Sequence, residues 1–108
     1  MRARLALVCA GVVTLAAVSY QGLLHNGFVD YDDFGHVVDD PVATAPLGLE
    51  TVRAAFDVQG AAAYWQPLTV LSLATDHALF GANPVAYHLE NLLWHLATAL
   101  VVLALFYR

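Results

Sequence analysis

Two apolar segments, one near each end, constrain the fold of this 108-residue chain more than any other feature. The first runs from Leu5 to Leu24 and carries no charged side chain. As an α-helix it would be roughly 30 Å long, which matches the hydrocarbon core of a bilayer. The second begins at Asn83 and Pro84, a helix cap followed by a first-turn proline, and runs to about Tyr107. The sequence therefore predicts an all-α membrane protein with two transmembrane helices.

The first segment has an alternative interpretation as a secretory signal peptide. Arg2 and Arg4 would form its basic start, and Ala17, Val18 and Ser19 resemble a small-residue cleavage site. Both interpretations place the residues that follow outside the cytoplasm, and they differ in whether the helix is retained.

The distribution of charge predicts the orientation of the chain. Three of the four basic residues lie near the ends, whereas all nine acids lie between Asp30 and Glu90. Because arginine next to an apolar segment favours the cytoplasmic side, both termini are expected inside and the acidic middle outside. The net charge of −5 argues against nucleic acid as a partner, and a composition of 60% hydrophobic residues makes membrane lipid the expected surroundings. The many alanines and valines favour a bacterial inner membrane.

These patterns divide the chain into three parts. Residues 1–24 form the first transmembrane helix with its basic start, residues 25–82 an extracytoplasmic loop, and residues 83–108 the second transmembrane helix. Within the loop, short helices are expected near 49–57 and 66–80. The first is amphipathic, with Leu49, Val52 and Phe56 on one face, and could rest on the membrane surface or on other helices. The second lies between Pro67 and Gly81. The first half of the loop is expected to consist of turns.

Two adjacent acids, Asp32 and Asp33, stand soon after the first apolar segment. Ionisable groups at a membrane surface cost solvation energy, so this pair is a candidate for chemistry. They are alternatively ordinary loop acids, or part of a divalent-cation site with Asp30 and His36. We assign no metal ligand and expect no cofactor.

The outer half of the second apolar helix carries a polar face. His88, Asn91 and His95 follow i, i+3, i+7 spacing, and lipid cannot satisfy their hydrogen-bonding groups. This face is expected to meet other protein, either as one shared site or through interhelical hydrogen bonds. Because the chain offers little protein for this purpose, we expect it to be a fragment of a larger helical bundle.

An ordered set of motifs runs through residues 22–105, and the set is more specific than any of its members. In order, the motifs are Asn26-Gly27-Phe28-Val29, Tyr31-Asp32-Asp33, Asp39-Asp40-Pro41, Trp65-Gln66-Pro67-Leu68-Thr69, Leu71-Ser72, Asp76, Leu79-Phe80-Gly81, Tyr87-His88-Leu89 and Asn91-Leu92-Leu93 with His95. In this set the chain resembles the N-terminal part of the GT-C membrane glycosyltransferases. It is most similar to the transmembrane and tetratricopeptide-repeat O-mannosyltransferases and their bacterial homologues, and more distantly to the protein O-mannosyltransferases.

The resemblance implies the N-terminal fragment of a GT-C-like multi-helix bundle. Such an enzyme transfers a sugar, here mannose-like, from a polyprenyl phosphate sugar donor to a hydroxyl acceptor, often a protein Ser or Thr. Asp32 matches the catalytic acid of the family and Asp33 its neighbour. Since phosphate leaves as an anion, the reaction needs a base for the acceptor hydroxyl but no general acid. We therefore expect Asp32 to be the base and Asp33 to position it.

Four further residues are candidates for substrate binding: Arg53, Gln66, Asp76 and His88. The family often has Arg or His at the position of Gln66, and this departure removes a positive charge. Arg53 is either a phosphate contact or a solvated surface charge, and Asp76 either faces the acidic loop or merely caps and solvates its helix. The family's usual Asn is Asp40 here, which plays a similar role in a turn.

The expected mechanism also requires positive charge near the phosphate of the donor. The departing phosphate needs cations that these 108 residues do not supply, so the chain alone is expected to be inactive. The alternative is a small two-helix membrane protein whose loop binds a partner without catalysis.

Overall fold

The structure is a computed structural model that describes residues 2–60 and 64–107. Regular secondary structure in these residues is helical throughout. The α-helices are α1 (Arg2–Ser19), α2 (Leu49–Phe56), α3 (Pro67–Phe80) and α4 (Pro84–Phe106). A 3₁₀ helix covers Gln21–His25, and a single π-helical turn covers Phe34–Val38. The predicted all-α class is confirmed, and Met1 and Arg108, which the sequence assigns to the membrane segments, lie outside the described residues.

Two helical stretches are long and apolar enough to cross a membrane. They are Ala3–His25 and Pro84–Phe106, each of 23 residues, or roughly 35 Å as α-helix. Only 6% of the apolar window of the first and 0% of the second is buried in the structure. The central helix of a soluble protein would be mostly buried, so these exposed apolar surfaces are consistent with a membrane protein.

The chain divides into two compact units. The first comprises the described residues of Met1–Asn26 and His88–Arg108, and the second comprises Gly27–Tyr87. In the first unit the Tyr20 ring meets the His95 imidazole edge to face, with 5.6 Å between ring centroids. The second unit holds the π-helical turn, α2, α3 and the beginning of α4, and we call it the loop unit.

In the loop unit, α2 packs against α3. The residues of the two helices that are most buried include Thr51, Ala55 and Ala74, the last of which is 0% exposed. The sequence places Leu49, Val52 and Phe56 on one apolar face of α2, against the membrane surface or other helices, and these side chains are 63%, 42% and 47% exposed. α3 therefore covers the side of α2 that carries Thr51 and Ala55, and the apolar face stays open, which agrees with the membrane-surface alternative and not with packing of that face on α3.

Local signals set the ends of α3 and α4 as predicted. Pro67 is the first residue of α3, and Gly81 ends it with a φ of 62°, in the left-handed region that favours glycine. The Gly81 N–H donates to the His77 carbonyl oxygen at 2.8 Å. At the start of α4, the Asn83 Oδ1 accepts a hydrogen bond from the Val85 N–H at 3.1 Å.

An aromatic contact joins the two ends of the loop unit. Phe28 and Tyr87 pack edge to face with 5.5 Å between ring centroids, and Tyr87 is only 4% exposed. These residues stand next to the first and at the last position of the unit. The contact therefore closes the chain segment that carries the acidic pair.

Candidate functional site

The two adjacent acids differ in their surroundings. The Oδ2 of Asp33 accepts a hydrogen bond from the Val29 N–H at 2.9 Å, so its carboxylate fixes the preceding turn. The carboxylate of Asp32 is exposed and makes no hydrogen bond or ion pair with the described residues. Asp32 is therefore open to accept a proton from a ligand, whereas Asp33 holds the backbone beside it.

The π-helical turn directly follows this pair. The Asp32 carbonyl oxygen accepts a hydrogen bond from the His36 N–H at 3.0 Å, and the Phe34 carbonyl oxygen accepts one from the Asp39 N–H at 2.8 Å. Single π turns are rare and are frequent at functional sites. The sequence predicted only turns here, because a π turn has no characteristic residue pattern.

A second turn is built around Asp40. Its Oδ1 accepts hydrogen bonds from the N–H groups of Val42 and Ala43, both at 2.8 Å, and its carbonyl oxygen accepts one from the Thr44 hydroxyl at 2.8 Å. This is the turn role expected for Asp or Asn at this position.

We expect Asp40→Ala to lower the free energy of unfolding by about 1–2 kcal/mol, since two backbone N–H groups lose their acceptor. Asp40→Asn keeps a side-chain oxygen that can accept both hydrogen bonds, so its free energy of unfolding should be close to that of the original protein. Denaturant titration in detergent, followed by tryptophan fluorescence, measures both. Equal losses for the two variants would show that charge, rather than the turn, is what Asp40 contributes.

The loop unit contains a cavity of about 110 Å³, which we call the loop cavity. It is bounded by the π turn, the Asp40 turn, the end of α2, the residues before α3 and the first turn of α3. Its polar and aromatic lining residues are His36, Asp40, Asp57, Tyr64, Trp65 and Gln66. Of the residues predicted from the sequence to bind substrate or act in catalysis, Gln66 lines this cavity; Asp32, Asp33, Arg53 and Asp76 do not.

Arg53 forms an ion pair with Glu50 on the surface of α2. The Nη1 of Arg53 and the Oε1 of Glu50 are 2.7 Å apart, and both side chains are largely exposed. Such pairs contribute roughly 0–1 kcal/mol. The structure therefore favours the second sequence interpretation, in which Arg53 is a solvated surface charge.

Asp76 lies in the interior of the loop unit. It is 5% exposed, its Oδ2 is shielded from solvent, and the residue is held by interactions within the structure. The sequence alternative of a helix-capping, solvated acid is therefore wrong. Burial of a carboxylate is costly unless protein groups compensate it, so Asp76 is part of the packing of α3.

His88 lies in the first unit, on the polar face that the sequence predicted. Tyr20, Leu23, His88, Asn91, Leu92 and His95 line an open groove of about 260 Å³. The predicted sharing of a face by His88, Asn91 and His95 is therefore confirmed. The Nε2 of His88 is shielded from solvent and has no hydrogen-bond partner among the described residues.

Within residues 2–60 and 64–107, no group of three or more His, Cys, Asp or Glu side chains is arranged to hold a metal ion. Among the described residues, the side chains proposed for the alternative cation site, Asp30, Asp32, Asp33 and His36, are therefore not assembled into such a group. The side chain of His36 lines the loop cavity instead.

Comparison with known proteins gives one similarity that supports the family resemblance. The chain is 36% identical over 102 aligned positions to a protein described as Protein O-mannosyl-transferase Tmtc1 from Drosophila melanogaster. The alignment covers 87% of this chain but 12% of that relative's length. No protein-family profile and no solved structure matches the chain. A partial similarity to an O-mannosyltransferase and two apolar helices therefore suggest a glycosyltransferase-like membrane protein.

The sequence analysis missed His36 as a cavity residue, along with Asp57, Tyr64 and Trp65. Three of the cavity residues, Tyr64, Trp65 and Gln66, are consecutive, and an aromatic pair next to an amide before a helix was an available signal. His36 and Asp57 come from separate segments, so nothing in their spacing indicates that they meet.

Proposed function

We propose that the chain is the N-terminal part of a GT-C-type membrane glycosyltransferase. The proposed reaction transfers a sugar, mannose-like, from a polyprenyl phosphate sugar to a hydroxyl of a protein Ser or Thr. The observation that carries the proposal is the similarity to an O-mannosyltransferase over 87% of the chain. The open carboxylate of Asp32, next to an Asp33 that is held in a turn, supplies the group that such a reaction needs.

In the proposed step, Asp32 takes the proton of the acceptor hydroxyl as its oxygen attacks the anomeric carbon of the sugar. The bond from that carbon to the phosphate oxygen breaks, and polyprenyl phosphate departs with the electron pair. Asp33 keeps the backbone of the turn in place through the Val29 N–H. One positioned carboxylate is sufficient as a base, because the phosphate needs no proton to leave.

The negative charge on the departing phosphate would require a cation. Arg53 is the one Arg or Lys between residues 5 and 107, and in the structure it is paired with Glu50. The proposal therefore places the phosphate contacts in protein segments beyond these residues, and the 108-residue chain alone is expected to be inactive.

The proposal is tested with membranes from cells that express the whole reading frame of the gene. Supplied with radiolabelled polyprenyl phosphate mannose, these membranes are expected to transfer label to protein, and β-elimination should release it. Label that stays in the lipid fraction, for mannose and for the other common hexoses, would contradict the proposal. Transfer by the 108-residue chain alone would show that the cation lies within it.

The proposed topology places the acidic pair on the outer side of the membrane. We expect a cysteine at Tyr31, which is 87% exposed, to react with a membrane-impermeant maleimide in intact cells once Cys9 is replaced by serine. A cysteine at Ala3 should react only after permeabilisation, because the start of α1 is expected inside.

The reverse labelling pattern would remove the basis for the transferase proposal, since a lipid-linked donor outside would not meet Asp32. Absence of residue 3 from the mature protein would instead show that the first segment is a cleaved signal peptide. In that case the loop would still lie outside.

A second candidate function is a small membrane protein whose loop binds a partner without catalysis. The exposed apolar side chains of Leu49, Val52 and Phe56 on α2 favour it, because they leave an apolar surface uncovered. The gene distinguishes the two: a reading frame continuing into many apolar helices favours the enzyme, and a stop codon after Arg108 favours the small protein.

A further inference from the structure

The loop cavity has walls that are fixed by contacts within the loop unit. The Trp65 Nε1 donates to the Phe56 carbonyl oxygen at 3.4 Å, and the two rings pack edge to face with 6.3 Å between centroids. These contacts join the segment before α3 to the end of α2. The turn around Asp40, which also lines the cavity, is held by its own hydrogen bonds. The cavity is therefore a built feature rather than a gap between loose loops.

Two carboxylates in the cavity are oriented by the backbone and keep one oxygen open. The Oδ1 of Asp40 accepts two backbone N–H groups, and the Oδ1 of Asp57 accepts the Gln59 N–H at 3.0 Å. The Oδ2 of each makes no hydrogen bond with the described residues. Fixed acceptors of this kind suit a ligand whose hydroxyl groups donate hydrogen bonds, because these side chains are already ordered and lose little conformational freedom on binding.

Gln66 adds a group that both donates and accepts. It precedes Pro67 at the start of α3, and its side chain makes no capping hydrogen bond. The amide is thus available to the cavity that it lines. A ligand hydroxyl can donate to its oxygen or accept from its nitrogen.

The aromatic residues of the cavity, Tyr64 and Trp65, are both exposed. The face of an aromatic ring is negative and attracts weakly positive C–H groups. A sugar ring presents C–H groups on its faces and hydroxyls around its edge, so it matches aromatic walls combined with carboxylate and amide groups.

Charge and size narrow the class of ligand further. The described lining residues include no Lys or Arg and two carboxylates, so an anion such as phosphate would be repelled. The volume of about 110 Å³ is well below the roughly 300–1,000 Å³ of pockets that enclose a drug-sized ligand. It therefore accommodates part of one sugar ring, and a longer oligosaccharide would extend into solvent.

We propose that the loop cavity binds a single neutral sugar unit through hydrogen bonds to Asp40, Asp57 and Gln66 and through contact with the rings of Tyr64 and Trp65. The inference deepens the proposed transferase function, on which its biological meaning rests, by assigning Gln66 to the sugar instead of to the phosphate. The His36 N–H, bonded to the Asp32 carbonyl oxygen, connects the cavity to the proposed base through the π turn.

The test uses the full chain in lipid nanodiscs with Trp94→Phe, which leaves Trp65 as the single tryptophan. Titration with methyl α-D-mannopyranoside, and with the glucose and galactose equivalents, is expected to change Trp65 fluorescence saturably for at least one sugar. Gln66→Ala and Asp57→Asn should each weaken that binding about tenfold, the effect of one lost hydrogen bond to a polar or charged group.

Matched controls separate the cavity from general effects. Gln59→Ala and Asp39→Asn change an exposed amide and an exposed acid outside the cavity lining, and both should bind as the parent does. Asp57→Asn keeps the oxygen that accepts the Gln59 N–H, so the fold should persist, and circular dichroism checks this.

Absence of saturable binding by all three sugars would overturn the inference, as would equal binding by the Gln66 and Gln59 variants. Saturable binding of inorganic phosphate or Ca²⁺ that displaces the sugar would also overturn it, since the site would then recognise an ion. Sugar binding in the cavity without sugar transfer by the whole protein would support the inference about the cavity and refute the proposed function. Sugar transfer by the whole protein without sugar binding in the cavity would support the proposed function and overturn the inference about the cavity.

Discussion

Asp32→Asn is expected to reduce sugar transfer by about 10²–10⁴-fold in the whole protein, the usual contribution of a positioned general base. The amide cannot take the proton of the acceptor hydroxyl, and it has the same shape as the carboxylate. Because the Asp32 side chain makes no hydrogen bond with the described residues, its replacement should leave the fold unchanged. Initial rates with a radiolabelled polyprenyl phosphate sugar measure the loss.

Asp30→Asn is the matched control for this experiment. Asp30 is an exposed acid two residues away in the same turn, so the variant carries the same change in charge and composition. We expect it to retain most of the activity. Similar losses in the two variants would point to the field of the acidic segment and not to Asp32 as the base.

The second large effect concerns the contact that closes the loop unit. Tyr87→Ala is expected to lower the free energy of unfolding of this unit by about 3 kcal/mol, at the lower end for removal of a buried aromatic ring. Tyr87 is buried against Phe28, which precedes the acidic pair by a few residues. The variant should therefore also make the segment around Asp32 more sensitive to proteolysis.

Tyr31→Ala provides the comparison for Tyr87→Ala. Tyr31 belongs to the same unit and is 87% exposed, so its loss should change stability by less than about 0.5 kcal/mol. Denaturant titration in detergent, in the Trp94→Phe background with Trp65 as the reporter, and limited proteolysis in nanodiscs measure the difference. If both variants unfold at the same denaturant concentration, the contact between Phe28 and Tyr87 is not what holds the unit together.

The helices could be predicted from the sequence because their signals are local. Pro67 and Gly81 delimit α3, and Asn83 caps α4, through interactions with residues within four positions along the chain. Length and scarcity of charge identify the two candidate membrane spans in the same way. These features depend on the chain itself and not on what it packs against.

The faces of the helices could be predicted only in part. Periodicity correctly grouped His88, Asn91 and His95 on one face, because spacing fixes which residues share a side of a helix. For α2 it left open whether the apolar face meets the membrane surface or other helices, and in the structure Thr51 and Ala55 are buried while the larger apolar residues are outside. Spacing alone does not say which side a neighbouring helix covers.

The candidate site was predicted least completely. The pattern of Asp32 and Asp33 identified two carboxylates, but not the Val29 N–H, which donates a hydrogen bond to Asp33 and makes their surroundings different. The loop cavity draws residues from several segments, including His36 and Gln66, which are thirty positions apart. Such groupings arise from tertiary packing and are not recorded in the spacing of any motif.

The position of Gln66 has an evolutionary consequence. A residue before proline is disfavoured in helical geometry, and the backbone of Gln66 is accordingly non-helical, with φ of −139° and ψ of 64°. Its side chain contributes nothing to starting α3, so natural variation at this site is unconstrained by helix formation. In the proposed sugar site, a cationic residue in related chains would keep the same scaffold and shift the expected preference from uncharged towards anionic molecules, so selectivity could diverge at this single codon.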